Sequence, residues 1–109
     1  MNFEVIPIPP FDREIKKLSK KYPSLKKEYW KLVESLEKEP IQGVKIGKDC
    51  YKIRLSIQSK GKGKSGDARV ITCVKIIETK VYLLSIYDKS EKENISNQDL
   101  LDLMDFIKF

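Results

Sequence analysis

Two stretches decide the fold: Tyr51-Lys52-Ile53-Arg54-Leu55-Ser56-Ile57 and Arg69-Val70-Ile71-Thr72-Cys73-Val74-Lys75-Ile76-Ile77. In the first, Tyr51, Ile53, Leu55 and Ile57 alternate with Lys52, Arg54 and Ser56. Successive strand side chains point to opposite faces, so this is a half-buried strand with an apolar and a cationic face. The second stretch is rich in Val, Ile and Thr and predicts a strand over 69–77. Ser59 to Asp67 lies between them without an apolar side chain and predicts a flexible loop. Glu78-Thr79-Lys80 then turns the chain into a third strand, Val81 to Tyr87. If Arg69 and Lys75 face outward, Val70, Thr72, Val74 and Ile76 face the core; the reverse would bury two cations, at several kcal/mol each. Lys52, Arg54 and Arg69 then share one sheet face on neighbouring strands.

Toward the N-terminus, Val44-Lys45-Ile46 is a short strand, and so is Asn2-Phe3-Glu4-Val5-Ile6, which ends at Pro7-Ile8-Pro9-Pro10. Asp12 is placed to cap a helix whose apolar positions are Phe11, Ile15, Leu18 and Tyr22. Pro23-Ser24 breaks it and caps a second helix, with a stripe of Leu25, Tyr29, Leu32, Val33 and Leu36, stopping before Pro40. So short a connection predicts an antiparallel helix hairpin. Toward the C-terminus, Ser96 caps a last helix with Asp99 three residues on and a stripe of Leu100, Leu103, Met104 and Ile107. The expected fold is α+β: an N-terminal strand and helix hairpin packed on a small, largely antiparallel sheet, with a C-terminal helix.

The 109 residues suffice for one domain, 1–109, with its own core. No apolar stretch approaches the ~20 residues of a membrane span, and the first ten residues do not read as a signal peptide. Two cysteines without a secretion signal suggest reduced thiols and a cytoplasmic location. The chain has no histidine, which excludes Ser-His-Asp and Cys-His catalysis and any His-based metal site, and two cysteines cannot make a four-cysteine zinc site. No cofactor and no metal are expected, and catalysis must run on Lys, Arg, Tyr, Asp or Glu.

The net charge of +6 is concentrated. Residues 45–69 carry Lys45, Lys48, Lys52, Arg54, Lys60, Lys62, Lys64 and Arg69 against only Asp49 and Asp67. Clustered cations of this kind bind phosphate and release counterions from nucleic acid; the bland alternative is a solvated surface. Gly63-Lys64-Ser65 matches the end of a P-loop, but position 58 is Gln where a glycine is needed, and a β-branched strand follows instead of a helix. Lys60-Gly61-Lys62-Gly63-Lys64 is more simply a basic hairpin tip that follows a phosphate backbone without reading sequence. Cys50 and Cys73 are expected to be buried packing residues, and Trp30 to pack in the helix hairpin. Asp99, Asp102 and Asp105 are expected on the wet face of the last helix.

Asp49-Cys50-Tyr51-Lys52-Ile53-Arg54-Leu55, Arg69-Val70-Ile71, Ser85-Ile86 and Lys89-Ser90-Glu91, in this order, resemble the RelE/ParE superfamily of bacterial toxins. Gly63 to Ile71 followed by Tyr87 to Glu93 looks most like the HigB-type branch of the RelE-like toxins. The resemblance covers nearly the whole chain. It implies a small α+β toxin of a type II toxin–antitoxin system that enters the ribosomal A site and cuts messenger RNA without metal. It implies a cognate antitoxin, the ribosome and mRNA as partners, and no membrane.

Carried over residue by residue, the resemblance assigns catalytic roles to Lys52, Arg54, Arg69 and Lys89. Lys89 stands where the RelE pattern has arginine, so the charge is kept and the bidentate fork is lost. Ile95 stands where that pattern has tyrosine, and Tyr87 is the nearest replacement. Asp67 departs from the usual glycine before the strand arginine. Metal-free RNA cleavage uses the 2′-hydroxyl as internal nucleophile, with a base, cations at the phosphate and an acid at the leaving 5′-oxygen. Lys52 is the expected base, its pKa depressed by Arg54 and Arg69. Those two arginines would stabilise the transition state, and Lys89 would hold the phosphate or act as acid. Lys48, Lys60, Lys62 and Lys64 are the expected RNA-binding residues. Alternatives are a ParE-type DNA gyrase poison and a degenerate toxin that only binds its antitoxin.

Overall fold

The computed structural model describes residues 2–60 and 67–107. Five strands, β1 (Glu4–Pro7), β2 (Val44–Gly47), β3 (Cys50–Ser56), β4 (Asp67–Lys75) and β5 (Lys80–Asp88), form one sheet in the order β1-β5-β4-β3-β2. All pairings are antiparallel except β1 with β5, which is parallel. Three helices complete the fold: α1 (Pro9–Lys21), α2 (Leu25–Lys38) and α3 (Asn97–Met104). The expected α+β architecture, with the helix hairpin after β1 and a helix near the C-terminus, is the one observed.

β1 is an edge strand, which is why it tolerates Pro7. Pro9 and Pro10 do not merely interrupt the chain. They open α1, where a missing N–H costs nothing and the fixed φ is already helical. The N-cap is therefore Ile8, and Asp12 lies inside the first turn, near the positive helix end. Past Pro7 the edge of β5 is taken over by α1. The Ile8 N–H donates to the Leu83 carbonyl at 3.1 Å, and Glu14 Oε1 accepts from Ser85 Oγ at 3.1 Å and from the Ile86 N–H at 3.4 Å. Ser24 does occupy the N-cap of α2, but its hydroxyl caps nothing there. It donates to Glu28 at 3.1 Å and accepts from the Ser59 N–H at 2.8 Å. Ser96 caps α3 as expected, accepting from the Asp99 N–H at 3.1 Å.

Several sequence-based boundaries shift, β1 among them, which covers Glu4–Pro7 instead of 2–6. β4 covers 67–75 instead of 69–77, so Ile76 and Ile77 fall in the turn, and Ile77 is 95% exposed. β-branched residues suggest strand, but pairing partners set where the strand ends. At the other end, Gln58–Lys60 is a 3₁₀ turn and not part of a flexible loop. The Gln58 N–H donates to Glu28 at 2.8 Å, and Ser59 is held by Ser24. The glycine-rich stretch 61–66, with the P-loop-like Gly63-Lys64-Ser65, lies outside the described residues.

Both faces of β4 and β5 are buried. The helix hairpin packs against β5 and β1, with Phe11, Leu25 and Leu36 fully enclosed. Across the sheet, Leu100 is buried and Met104 meets the Cys50 thiol at 3.8 Å. Cys50 and Cys73 face each other across β3 and β4, buried and unbridged, as expected. The hydrogen bond with Cys73 and then burial push the Cys50 thiol up, which disfavours a nucleophilic thiolate there. Trp30 packs at a tilt against Tyr29, with ring centroids 5.3 Å apart, yet stays 55% exposed.

Candidate functional site

Register assembles the site. β3 and β4 pair Ser56 with Asp67, Arg54 with Arg69 and Lys52 with Ile71. β4 and β5 pair Arg69 with Tyr87. Directly opposed residues lie on the same sheet face, and residues two apart along a strand share it. One rung therefore carries Arg54, Arg69 and Tyr87, and Lys52 follows on the next rung. The Lys89 N–H donates to the Asp67 carbonyl at 3.3 Å, which extends the ladder past β5 and sets Lys89 beside Asp67.

Arg69 does not face solvent as expected. Its side chain is only 11% exposed. The assumption that a buried arginine is too costly fails because the cation is compensated. Its Nη1 donates to the Ala68 carbonyl at 3.3 Å and lies 3.8 Å from Asp67 Oδ2. The same carboxylate oxygen meets Arg54 Nε at 2.9 Å, and Arg54 is 61% exposed. Ser56 Oγ donates to the other carboxylate oxygen at 3.4 Å. Lys52 Nζ donates to Asn94 Oδ1 at 3.0 Å, which aims it toward the segment before α3. Gly43, at φ +85°, lies against the Lys52 carbonyl so closely that any Cβ would strike it, and this fixes the backbone behind Lys52.

The Tyr87 hydroxyl is buried and, among the described residues, has no hydrogen-bond partner. Burial raises its pKa above the ordinary phenol value, while the nearby Arg69 charge pulls the other way. Lys92 Nζ sits 4.9 Å from the centre of its ring, a cation–π contact. A cleft of about 250 Å³ runs beside Tyr87, lined by Glu14, Lys17, Lys21 and Glu91 among others.

Of the expected residues, then, Lys52, Arg54, Arg69 and Tyr87 share one sheet face, the Lys89 backbone joins them beside Asp67, and two others do not come to the site. Lys60 turns inward. Its Nζ is 2.6 Å from Asp88 Oδ1, the two side chains are 10% and 1% exposed, and the ammonium lies 5.2 Å from the Tyr22 ring centre. An ammonium held by a buried carboxylate does not extend to grip RNA. Lys48 is exposed in the β2–β3 turn. It lies beyond Cys50, and Cys50 to Arg54 alone spans roughly 13 Å at about 3.3 Å per residue. Lys62 and Lys64 lie outside the described residues. Sequence reading missed Lys92, Asn94 and Glu14. Their approach depends on how α1 and the 89–96 segment fold back on the sheet, and no local pattern marks it.

A family model described as the RelE toxin of the RelE / RelB toxin–antitoxin system matches residues 11–108. The chain belongs to the RelE toxin family. Among solved structures, an E. coli toxin RelE carrying two arginine-to-alanine changes, in the free state, superposes with a TM-score of 0.63 at 21% identity, covering 99% of this chain and 100% of that one. The isolated E. coli RelE toxin gives a TM-score of 0.53 at 24% identity over 96% and 99% of the two chains. A chain of the intact E. coli RelBE toxin–antitoxin complex gives 0.51 at 25% identity over 79% and 95%. No curated protein sequence matches. The expected RelE-like membership and fold are thus shown, while these matches to RelE do not single out the HigB-type branch. Among the described residues, no helix of this RelE-family chain is long and apolar enough to cross a membrane.

Proposed function

We propose that this RelE-family toxin is a ribosome-dependent endoribonuclease that cuts translated mRNA, silenced by a cognate antitoxin. The observation that supports it is the single rung of Arg54, Arg69 and Tyr87, with Lys52 on the next rung and Lys89 beside it. Two guanidinium groups from neighbouring strands flank one anion-sized position, an arrangement suited to a phosphodiester. In the proposed reaction the 2′-oxygen attacks the adjacent phosphorus and Lys52, entering as the neutral amine, takes its proton on Nζ. Arg54 and Arg69 stabilise the added negative charge. The bond from phosphorus to the 5′-oxygen breaks, and that oxygen takes the Tyr87 phenol proton. The products are a 2′,3′-cyclic phosphate and a 5′-hydroxyl. Tyr87 suits the acid role because its phenol stays protonated and, among the described residues, its hydroxyl is uncommitted; RNA binding must open the face that covers it. Lys89 would steady the phosphate.

Arg69→Ala is the deciding variant. It should abolish growth arrest, with cleavage down by about 10²–10³-fold, the usual loss for a transition-state donor, while the antitoxin still co-purifies. Primer extension on a translated message after wild-type induction should show cuts within codons. Growth arrest without such cuts would favour a gyrase poison instead, and arrest by Arg69→Ala at wild-type strength would remove the site assignment.

A further inference from the structure

The anion-sized position between the two arginines is already filled, by the chain itself. Asp67 is 5% exposed, and Oδ2 lies 2.9 Å from Arg54 Nε and 3.8 Å from Arg69 Nη1. Ser56 Oγ supports the other oxygen at 3.4 Å. Register brings the groups within reach, since Asp67 opposes Ser56 while Arg54 opposes Arg69 on the same face. Like charges directly opposed across a sheet repel, so an anion between them stabilises the free protein. A carboxylate carries the same single charge as a phosphodiester and offers guanidinium the same two-oxygen edge. Carboxylate and phosphate therefore compete for one place, and side by side they would repel.

The geometry points to Asp67 as the specificity-determining residue of the site: a resident anion that a phosphodiester must displace from Arg54 and Arg69 before cleavage. Displacement has an open route, because Arg54 is 61% exposed and can release Asp67 on its solvent side. Free phosphate and short RNA compete poorly with a tethered carboxylate, whose effective concentration is high. A phosphodiester delivered by further contacts, as on a translated message, competes well. Asp67 thereby confines activity to RNA that is held in place, a consequence that rests on the ribonuclease reading above.

The test uses the purified full-length toxin with inorganic phosphate as probe, followed at the Arg54 Nε–H resonance by NMR. Asp67→Asn, which is isosteric, should lower the half-saturating phosphate concentration at least fivefold, and Asp67→Gly serves as a second variant should the amide disturb folding. A change smaller than fivefold in a folded variant overturns the proposal. Arg69→Ala separates the two ideas. If phosphate shifts Arg54 equally in wild type and Arg69→Ala, the two-arginine phosphate site itself fails. If Arg69→Ala loses the response and the Asp67 variants gain nothing, only the resident-anion role fails.

Discussion

Tyr87 is the residue on which the chemistry can be judged most sharply. Its hydroxyl is buried without a partner among the described residues, and burial holds its pKa above the ordinary phenol value near 10. A raised pKa on a group that acts in its protonated form extends the active range upward, so cleavage should not fall from phenol ionisation below about pH 10. Tyr87→Phe should cut cleavage by roughly 10²–10⁴-fold. It should leave the melting temperature unchanged or slightly higher, because it removes a buried hydroxyl that pairs with nothing. Wild-type cleavage by Tyr87→Phe would transfer the acid role to Lys89. At this scale the sequence was half legible. The residue types and the strand period put Lys52, Arg54 and Arg69 on one face. The burial of Arg69 and its sharing of Asp67 were not visible, because a cation's environment depends on what covers the strand.

At the scale of elements, the 3₁₀ turn Gln58–Lys60 ties β3 to α1, α2 and the end of β5. Lys60 and Asp88 make its buried pair, and Tyr22, the C-cap of α1, donates to the same carboxylate at 2.8 Å. Burial by itself would raise the Asp88 pKa. The hydrogen bonds from Lys60, from the Ser90 N–H and hydroxyl and from Tyr22 outweigh it and hold the carboxyl well below the usual carboxylate range. The folded pKa is depressed, so the pair's contribution is complete above the unfolded value near 4 and is lost as pH falls through the folded value. Thermal melts between neutral pH and about pH 2 should show a steep acid decline that Asp88→Asn flattens. Lys60→Met leaves a buried carboxylate hydrogen-bonded but without its counter-charge and should cost about 3 kcal/mol at neutral pH, the lower end for breaking a buried pair, read by denaturant unfolding. A loss below about 1 kcal/mol would mean that solvent reaches the pair. Sequence placed Lys60 in a mobile tip because no apolar residue marks the segment; its anchors, Ser24, Glu28 and Asp88, are distant in the chain.

At the scale of the whole molecule, the helix hairpin carries cations of its own, and those of the sheet are spread along it. Arg54, Arg69 and Lys89 lie toward the β3–β4–β5 end that carries Asp67, Lys52 lies along the same face between the two ends, and Lys48 and the Lys75–Asp49 contact lie at the opposite end of the sheet. Lys48→Glu should therefore leave growth arrest at wild-type strength, and Lys52→Glu should abolish it, as scored by viable counts after induction. Equal effects would show that net charge, not position, carries the activity. The sequence by itself determined the element types, the antiparallel hairpins, the helix pair and the concentration of cations in 45–69, because side-chain period, proline and glycine placement and charge count are local properties of the chain. Only the tertiary structure decided which cations converge and which are neutralised from within: those outcomes follow from register and from coverage of both sheet faces, where segments far apart in sequence meet and the energy of each charge is set by its neighbours in space.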